Sequence, residues 1–358
     1  MTVMRADAVR MLVVGDPYMP ATTYAGALAG LGDHVTVSNL QIDAATAPPP
    51  RTESEHRLRE YVGDPGHIAR AVAGHDVLVV HGAPVSSEVL DAAPLRLVAC
   101  ARGGPVNVDV AAATDRGIPV ANTPGKNAEA VAELTIAFAL LLLRKVPRAS
   151  RHLLDGGAMT ESVYDGREYF GREVAGATLG LVGLGHVGRE VAPRAQALGF
   201  NLIASDPWVS DPAVPGVEMV KLDDLLARSD IVSIHARATP ENHHMFSHEQ
   251  FERMRPGALL INTARESLVD EDALLDALEQ GIVAGAALDV VEHPAAGTSH
   301  PLLSVPNVLI TPHIGGATAE TLSRGARVAV AAVVDLIAGR PPSPLVNPEV
   351  LGAGTVAG

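Results

Sequence analysis

The chain has 358 residues, and its 27 lysines and arginines against 41 aspartates and glutamates give a formal net charge of −14. Such acidity argues against a nucleic acid or an anionic membrane as the partner, because both require a positively charged surface. Apolar residues make up 47% and charged residues 19%, which predicts a globular protein, and the length favours two domains. The single cysteine, Cys100, excludes an intrachain disulfide and is expected to be a buried, inert thiol.

Neither a targeting segment nor a metal site is expected. The first apolar stretch, 11–14, is too short for the core of a signal peptide, and the run 134–143 is too short to cross a bilayer. The sequence contains no HExxH motif, no EF-hand loop and no paired ligands at a suitable spacing. We therefore expect a cytoplasmic protein that binds neither a membrane nor a metal.

Strand-like and helix-like patterns alternate through the first third of the chain. A helical pattern covers 22–31, and short apolar runs stand at 11–15, 34–38, 76–80, 96–100 and 118–122. This alternation predicts a parallel sheet with helices on its faces. The segment 44–57 contains three consecutive prolines and mixed charges, so we expect it to be a surface excursion.

A second series of strands follows a long helical pattern at 127–155. Six near-continuous apolar runs, typical of strands buried on both faces, stand at 178–183, 201–205, 230–235, 258–262, 285–290 and 307–311. Six such strands are what a complete dinucleotide-binding domain requires. The last helical pattern, 316–339, can return the chain to the first domain.

A glycine-rich turn joins the first strand of this series to a helical pattern. It reads Gly183-x-Gly185-x-x-Gly188, in which the first glycine permits a tight turn and the second lets the backbone approach a pyrophosphate. Gly188 lets the helix pack closely on the strand. The amides of His186 and Val187 open the helix and are expected to bind the pyrophosphate.

An acidic residue, Asp206, ends the next strand. Its carboxylate is expected to accept hydrogen bonds from the adenosine ribose hydroxyls and to repel a 2′-phosphate. No arginine follows it in 206–209, so the sequence predicts NAD as the cofactor in preference to NADP.

The fold class is therefore predicted as α/β, with two doubly wound parallel-sheet domains. A Rossmann NAD-binding domain is expected at 122–315. A discontinuous, flavodoxin-like substrate-binding domain is expected at 1–121 and 316–358.

Four segments resemble the D-2-hydroxyacid dehydrogenase family, closest to its 3-phosphoglycerate dehydrogenase branch but without the C-terminal regulatory domain. They are 122–134, 176–199, 254–290 and 307–318. The resemblance implies a hydride transfer between nicotinamide and a D-2-hydroxy acid or its 2-oxo acid, in a cleft between two domains. It also implies a homodimer formed through 127–155.

The resemblance also assigns the catalytic residues. Arg265 is implied to bind the substrate carboxylate, and its planar guanidinium suits that partner. The resemblance implies that His313 is the general acid and base. An imidazole has an ordinary pKa of about 6.5, which suits proton transfer near neutral pH. The family's third residue is a glutamate directly before a proline, but this loop is one residue shorter. The partner of His313 is therefore open. It is Glu292, His293 or no residue at all, and we favour Glu292.

Further cofactor contacts are implied by the same segments. Asp289 is expected against the nicotinamide carboxamide, and the backbone of Thr263 and Ala264 is expected to line the cofactor. Ala236 and Gly315 match other cofactor-contact positions.

The substrate-binding loop is expected within 99–109, where the family presents successive backbone amides. This chain keeps Gly103 and Gly104 but has Arg102 at a position that is commonly glycine. His81 stands where phosphoglycerate enzymes often have arginine. Arg102 is either a positive charge for a second polar end of the substrate or a solvated loop residue.

The substrate is left open by these differences. They make phosphoglycerate itself less favoured than a glycerate-like or sugar-derived acid, and glyoxylate or hydroxypyruvate is an alternative. A different class of function is an NAD(H)-sensing interaction protein similar to corepressors of this fold. The Arg265 and His313 pair favours the enzyme.

Overall fold

The computed structural model describes residues 9–32, 34–43, 46–158, 166–211, 214–292 and 299–352. The chain divides into two compact units: unit 1 is Met1–Lys126 with Thr318–Gly358, and unit 2 is Asn127–Ala317. The sequence had predicted these boundaries at 121/122 and 315/316.

The strands and helices follow one another in the alternation typical of α/β proteins. The strands are β1 (Val9–Gly15), β2 (Val35–Gln41), β3 (Val77–Val80), β4 (Leu97–Cys100), β5 (Val120–Ala121), β6 (Thr178–Val182), β7 (Asn201–Ser205), β8 (Val217–Met219), β9 (Ile231–Ile234), β10 (Ala258–Asn262), β11 (Val283–Leu288) and β12 (Val308–Ile310). The helices are α1 (Ala25–Leu28), α2 (Glu53–Arg57), α3 (Pro65–Val72), α4 (Ser87–Asp91), α5 (Val110–Asp115), α6 (Ala128–Leu143), α7 (Val146–Leu154), α8 (His186–Ala197), α9 (Leu222–Arg228), α10 (His248–Arg253), α11 (Glu271–Glu279) and α12 (Ala319–Ile337).

Unit 1 is built on a parallel sheet with the strand order β2-β1-β3-β4-β5. The two faces of β1 enter different cores: Leu12 packs with Ile68 of α3, whereas Met11 packs with Val330 of α12. Burial on both faces explains why the strands read as continuous apolar runs rather than as an alternating pattern. The strand order is the flavodoxin-like one.

Unit 2 is built on a second parallel sheet, with the order β12-β11-β10-β9-β6-β7-β8. The order reverses between β6 and β9, as in the Rossmann arrangement. The prediction of two parallel-sheet α/β domains, one of them with a Rossmann fold, is therefore confirmed.

Two features of unit 2 were not predicted. The edge strand β8 has only three residues, and its central Glu218 bonds to Arg228 on the outside, so it carries no apolar run. The helical pattern predicted at 127–155 is two helices. Lys145 between them has a φ of 51°, and Pro147 stands in the first turn of α7. A left-handed residue stops the first helix, and a proline in the first turn suits the start of the second.

The predicted helix at 22–31 was also too long. The chain forms a short 3₁₀ turn, Ala21–Tyr24, before the four-residue α1.

Across the described residues, none of the helices has both the length and the apolar character needed to cross a membrane.

Candidate active site

The glycine-rich turn lies where β6 ends, and its packing requires glycine at two positions. Gly183 has a φ of 98°, and a β-carbon there would lie 2.8 Å from the backbone nitrogen of Ala236. A β-carbon on Gly188 would lie 2.4 Å from the carbonyl oxygen of Gly183. The turn therefore packs directly against the loop that follows β9 and against the start of α8.

The start of α8 has the features of a pyrophosphate site. Gly185 caps the helix without offering a side chain to the first amides, and nothing lies within 4 Å of the position of a β-carbon there. The amides of His186 and Val187 belong to this first turn, which carries the positive end of the helix dipole. Open space beside unpaired amides at a helix N-terminus fits the pyrophosphate of a dinucleotide.

Asp206 lies beside this turn with part of its carboxylate free. One oxygen accepts a hydrogen bond from the amide of Leu184 at 2.8 Å, and the other accepts from the amide of Trp208 at 2.9 Å. Because an ionised carboxylate has about four acceptor positions, two remain for ribose hydroxyls. The indole of Trp208 is 92% exposed next to this position.

Arg265 follows β10 in a loop whose backbone is fixed by Asn262. The buried Asn262 side chain donates to the carbonyl of Arg265 at 2.9 Å and accepts from the amide of Ala264 at 3.0 Å. The Arg265 side chain is exposed. The sequence analysis did not single out Asn262, although an asparagine at the end of the apolar run 258–262 was a signal that could have been used.

Thr263 connects the same loop to α6. Its hydroxyl lies 3.1 Å from the hydroxyl of Thr135, and both residues are buried. The Thr263 hydroxyl therefore has a partner within the protein. The Ala264 backbone also has partners, because its amide donates to Asn262 and its carbonyl accepts from the Arg265 guanidinium at 2.7 Å.

Asp289, at the end of β11, binds the loop that carries His313. One carboxylate oxygen accepts from the Thr311 hydroxyl at 2.6 Å and from the Ile314 amide at 2.8 Å, and the other accepts from the Gly315 amide at 2.7 Å. The amide of His313 donates to the Asp289 carbonyl at 3.0 Å. The structure therefore gives Asp289 a part in positioning His313.

The backbone of His313 is in an unusual conformation. Its φ is 56°, in the left-handed region that few residues other than glycine adopt, and its side chain is exposed. Such conformations persist only where surrounding contacts hold them, and they cluster at functional sites. Here the contacts are the hydrogen bonds to Asp289.

Glu292 is not brought to His313. Its carboxylate lies 3.9 Å from Nε2 of His244, and its amide donates to the Glu271 carboxylate at 2.8 Å. In the part of the chain that the structure covers, no hydrogen bond or ion pair joins Glu292 to His313. His293, the alternative partner, lies outside the described residues.

In unit 2, the predicted residues share one edge of the sheet. Gly183, Ala236, Arg265, Asp289 and His313 follow the carboxyl ends of β6, β9, β10, β11 and β12, which are all parallel. Ligands of open α/β sheets bind at this edge. The arrangement can therefore bind a dinucleotide beside a cationic and an imidazole side chain.

The predicted substrate residues of unit 1 already have partners. Nδ1 of His81 lies 2.9 Å from the carboxylate of the buried Asp16. The Arg102 guanidinium donates to the Glu60 carbonyl at 2.8 Å and forms an ion pair with the Glu60 carboxylate. Arg102 is therefore not a solvated loop residue, and its charge is neutralised within the unit.

Gly103 and Gly104 continue the loop from Arg102. The carbonyl of Gly103 accepts a hydrogen bond from the Asn122 side chain at 2.7 Å, and Gly104 is exposed.

Burial raises the pKa of the neighbouring Cys100 to about 11, so this thiol is protonated and unreactive.

No group of three or more histidine, cysteine or acidic side chains suited to a metal ion occurs among the described residues.

Comparison with known proteins decides the family. Residues 136–315 match the family model of the D-isomer specific 2-hydroxyacid dehydrogenase, NAD binding domain. The chain belongs to this family. The family and the NAD cofactor predicted from the sequence are thereby confirmed.

Individual members of the D-2-hydroxyacid dehydrogenase family are similar to much of the chain. A D-3-phosphoglycerate dehydrogenase of Archaeoglobus fulgidus is 38% identical over 284 residues, which are 78% of this chain but only 53% of that protein. The chain thus spans about half the length of this relative. A hydroxypyruvate reductase of Thermotoga maritima is 40% identical over 253 residues, 70% of this chain and 80% of that protein.

A solved structure extends the likeness to both units. The TT0316 protein of Thermus thermophilus is 33% identical, with a TM-score of 0.74, and the superposition covers 94% of this chain and 100% of that one.

Proposed function

We propose that this chain is an NAD-dependent D-2-hydroxyacid dehydrogenase, which interconverts a D-2-hydroxy acid and its 2-oxo acid. The observation that carries the proposal is the shared sheet edge of unit 2. There the dinucleotide turn stands in the same row as Arg265 and as His313 on its Asp289-bound loop. Family membership supports the same reaction.

The chemistry is divided between two side chains. Arg265 binds the substrate carboxylate through parallel hydrogen bonds and polarises the C2 carbonyl in the direction of reduction. His313 donates a proton to the carbonyl oxygen in reduction and removes it from the hydroxyl in oxidation. NAD, when bound, supplies the nicotinamide that accepts or donates the hydride.

The remaining site residues have supporting roles in this proposal. The backbone of Thr263 and Ala264, with Ala236 and Gly315, lines the cofactor, and Asp289 also faces the nicotinamide carboxamide. We assign the amides of Gly103 and Gly104 to the substrate carboxylate. We do not include Glu292 among the catalytic groups, because its carboxylate lies beside His244.

The substrate is a small 2-oxo or 2-hydroxy acid of the glycerate-like kind. The names of two relatives, a D-3-phosphoglycerate dehydrogenase and a hydroxypyruvate reductase, support this range. We also assign the protein to the cytoplasm, where the reduced Cys100 thiol is stable.

The purified chain should oxidise NADH in the presence of short 2-oxo acids and yield the D-2-hydroxy acid. We expect kcat/KM with NADH to exceed that with NADPH by about 10²-fold, because the Asp206 carboxylate repels a 2′-phosphate. The measurement is the loss of absorbance at 340 nm with each cofactor.

Binding is followed separately through Trp208, the only tryptophan of the chain, whose emission should fall as NADH binds beside Asp206. Quenching by NADH without turnover of any 2-oxo acid would favour an NAD(H)-sensing protein instead. Comparable turnover with NADPH would contradict the role of Asp206.

We further propose a homodimer formed through α7. Leu153 and Leu154, which are neighbours at the end of this helix, are 47% and 81% exposed, and Phe170 in the segment after it is 64% exposed. Exposed apolar patches mark interaction surfaces. Light scattering at micromolar concentration should give twice the chain mass of 37.1 kDa.

The variant Leu154→Asp should yield a monomer, because it places a charge in the proposed interface. The matched control is Leu198→Asp, which alters a 44% exposed leucine at the end of α8. A monomeric unmodified chain, or a Leu154→Asp variant that remains dimeric, would contradict the proposal.

A further inference from the structure

The start of α11 contacts the loops at the carboxyl edge of the unit 2 sheet. The amide of Asp270 donates to the carbonyl of Phe246, in the connection that follows β9, at 2.9 Å. Asp270 also ends the loop after β10, and its carboxylate caps α11 by accepting from the amide of Ala273 at 3.1 Å. The helix start is therefore fixed in place, and the next residue, Glu271, projects from a rigid element.

Glu271 binds the connection between β11 and β12 at two points, with one carboxylate oxygen for each. Oε1 accepts a hydrogen bond from the amide of Glu292 at 2.8 Å, and Oε2 accepts from Nε2 of His300 at 2.9 Å. Because Nδ1 of His300 accepts from the amide of Leu302 at 3.3 Å, the ring proton is on Nε2, where it faces the carboxylate. One side chain therefore holds two separate points of the connection.

These contacts are shielded from water. The side chain of Glu271 is 15% exposed, and that of His300 is 8% exposed. Burial raises the pKa of Glu271, and the hydrogen bonds from the Glu292 amide and from His300 oppose that rise. Hydrogen bonds to a shielded carboxylate are stronger than those on a surface, so Glu271 restrains the main chain more than an exposed pair would.

The restrained connection begins directly after Asp289. The amide of Asp289 donates to the Asn262 carbonyl at 2.9 Å, and Glu292 follows three residues later, so Asp289 stands between two fixed points of the main chain. The carboxylate of Asp289 in turn holds the loop of His313, whose φ of 56° requires such support. His300, the second point, precedes β12, and His313 follows the end of that strand.

We propose that Glu271 is a positioning residue of the dehydrogenase reaction. By binding the connection between β11 and β12 at two points, it keeps Asp289 in place, and through Asp289 it keeps the imidazole of His313 in the orientation that proton transfer requires. Glu271 itself contacts neither substrate nor cofactor in this role. The inference rests on the proposed dehydrogenase function and adds a residue to it.

The variant Glu271→Ala tests this role in the full-length chain. We expect kcat with the best 2-oxo acid to fall about 10-fold, because a small displacement of a reacting group slows a reaction strongly. The Kd for NADH, measured through quenching of the Trp208 emission, should stay close to that of the unmodified chain. The dinucleotide turn follows β6, and none of the hydrogen bonds of Glu271 to described residues involves that turn.

The value of kcat is expressed per NADH-binding site, counted in the same fluorescence titration. Loss of folded protein then lowers the number of sites and is not mistaken for a loss of kcat. A purely structural role of Glu271 would leave kcat per site unchanged in the alanine variant, and this result would refute the inference.

The variant Glu271→Gln should restore most of kcat per site. Its amide oxygen can accept from the amide of Glu292, and its NH₂ group can donate to Nε2 of His300 once the ring adopts the other tautomer. Only the contact between His300 and Leu302 is then lost. A glutamine variant as slow per site as the alanine variant would contradict positioning by these two hydrogen bonds.

His300 provides an independent arm of the test. His300→Ala should lower kcat per site by a smaller factor than Glu271→Ala, because the contact of Glu271 with the Glu292 amide remains. The double variant should lose no more than Glu271→Ala alone, since two residues that act through one contact are not additive. Losses that multiply in the double variant would overturn the inference.

The matched control is Asp272→Ala, which removes an exposed acidic side chain from the same first turn of α11. It should leave kcat per site unchanged, and a loss as large as that of Glu271→Ala would contradict a specific role of Glu271. Failure of the proposed function has a different signature. In that case the unmodified chain turns over no 2-oxo acid, whereas failure of the inference alone leaves an active enzyme whose Glu271→Ala variant is equally active per site.

Discussion

The variant His313→Asn should lose about 10²–10⁴ of kcat, the usual contribution of a general acid or base. Asparagine is chosen because it tolerates the left-handed backbone, with a φ of 56°, that His313 adopts. The hydrogen bonds from the loop to Asp289 can then persist, so the variant removes the imidazole without the strain that alanine would add. The measurement is steady-state oxidation of NADH with the best 2-oxo acid.

Two controls separate proton transfer from damage to the fold. NADH should still quench the emission of Trp208 in the variant, because the dinucleotide turn lies after β6. The variant His248→Asn replaces an exposed histidine that bonds to Asp276 on α11, and it should keep full turnover. Near-complete turnover by His313→Asn would remove this residue from the mechanism.

Replacing Arg265 with methionine should lower kcat/KM by about 10²–10⁴, because two charge-assisted hydrogen bonds to the substrate carboxylate are lost. The variant Arg265→Lys keeps the charge but not the planar pair of donors, so it should recover only part of the loss. The methionine variant also loses the hydrogen bond from the Arg265 guanidinium to the Ala264 carbonyl at 2.7 Å, but the Asn262 side chain still bonds to the main chain of residues 264 and 265 and holds the loop. Michaelis constants for a series of 2-oxo acids provide the measurement.

A charge-matched control is Arg253→Met. Arg253 is half-exposed on α10 and pairs with Asp223 and Glu249, so its loss removes a cation from unit 2 away from the loop after β10. We expect its kinetic constants to match those of the unmodified chain. An Arg265→Met variant with the same constants as this control would contradict carboxylate binding by Arg265.

Features that depend only on neighbouring residues could be predicted from the sequence. The glycine turn could be predicted because Gly183, Gly185 and Gly188 stand in fixed spacing between a strand and a helix. The strand β8 could not be predicted, because it has only three residues and the central one, Glu218, is charged. The break between α6 and α7 was missed, although Pro147 follows it in the sequence and Lys145 adopts a left-handed backbone there.

The role of Glu292 shows the limit of a motif. The resemblance to the family implied a carboxylate partner for His313. The structure places the Glu292 carboxylate 3.9 Å from Nε2 of His244 instead. Spacing along the chain could not reveal this, because His244 stands in a different loop.

The sequence by itself determined the α/β architecture and the dinucleotide turn, because both depend on patterns of neighbouring residues, which the local backbone and burial on both sheet faces impose. The roles of Arg265 and His313 were implied by the resemblance to the family. Only the tertiary structure decided that Asp289 holds the His313 loop, that Asp16 orients His81, and that Glu60 neutralises Arg102. The two residues of each pair are brought together by the order of strands in a sheet or by the path of a loop. Their separation along the chain follows no fixed spacing, so the sequence alone could not reveal the pairing.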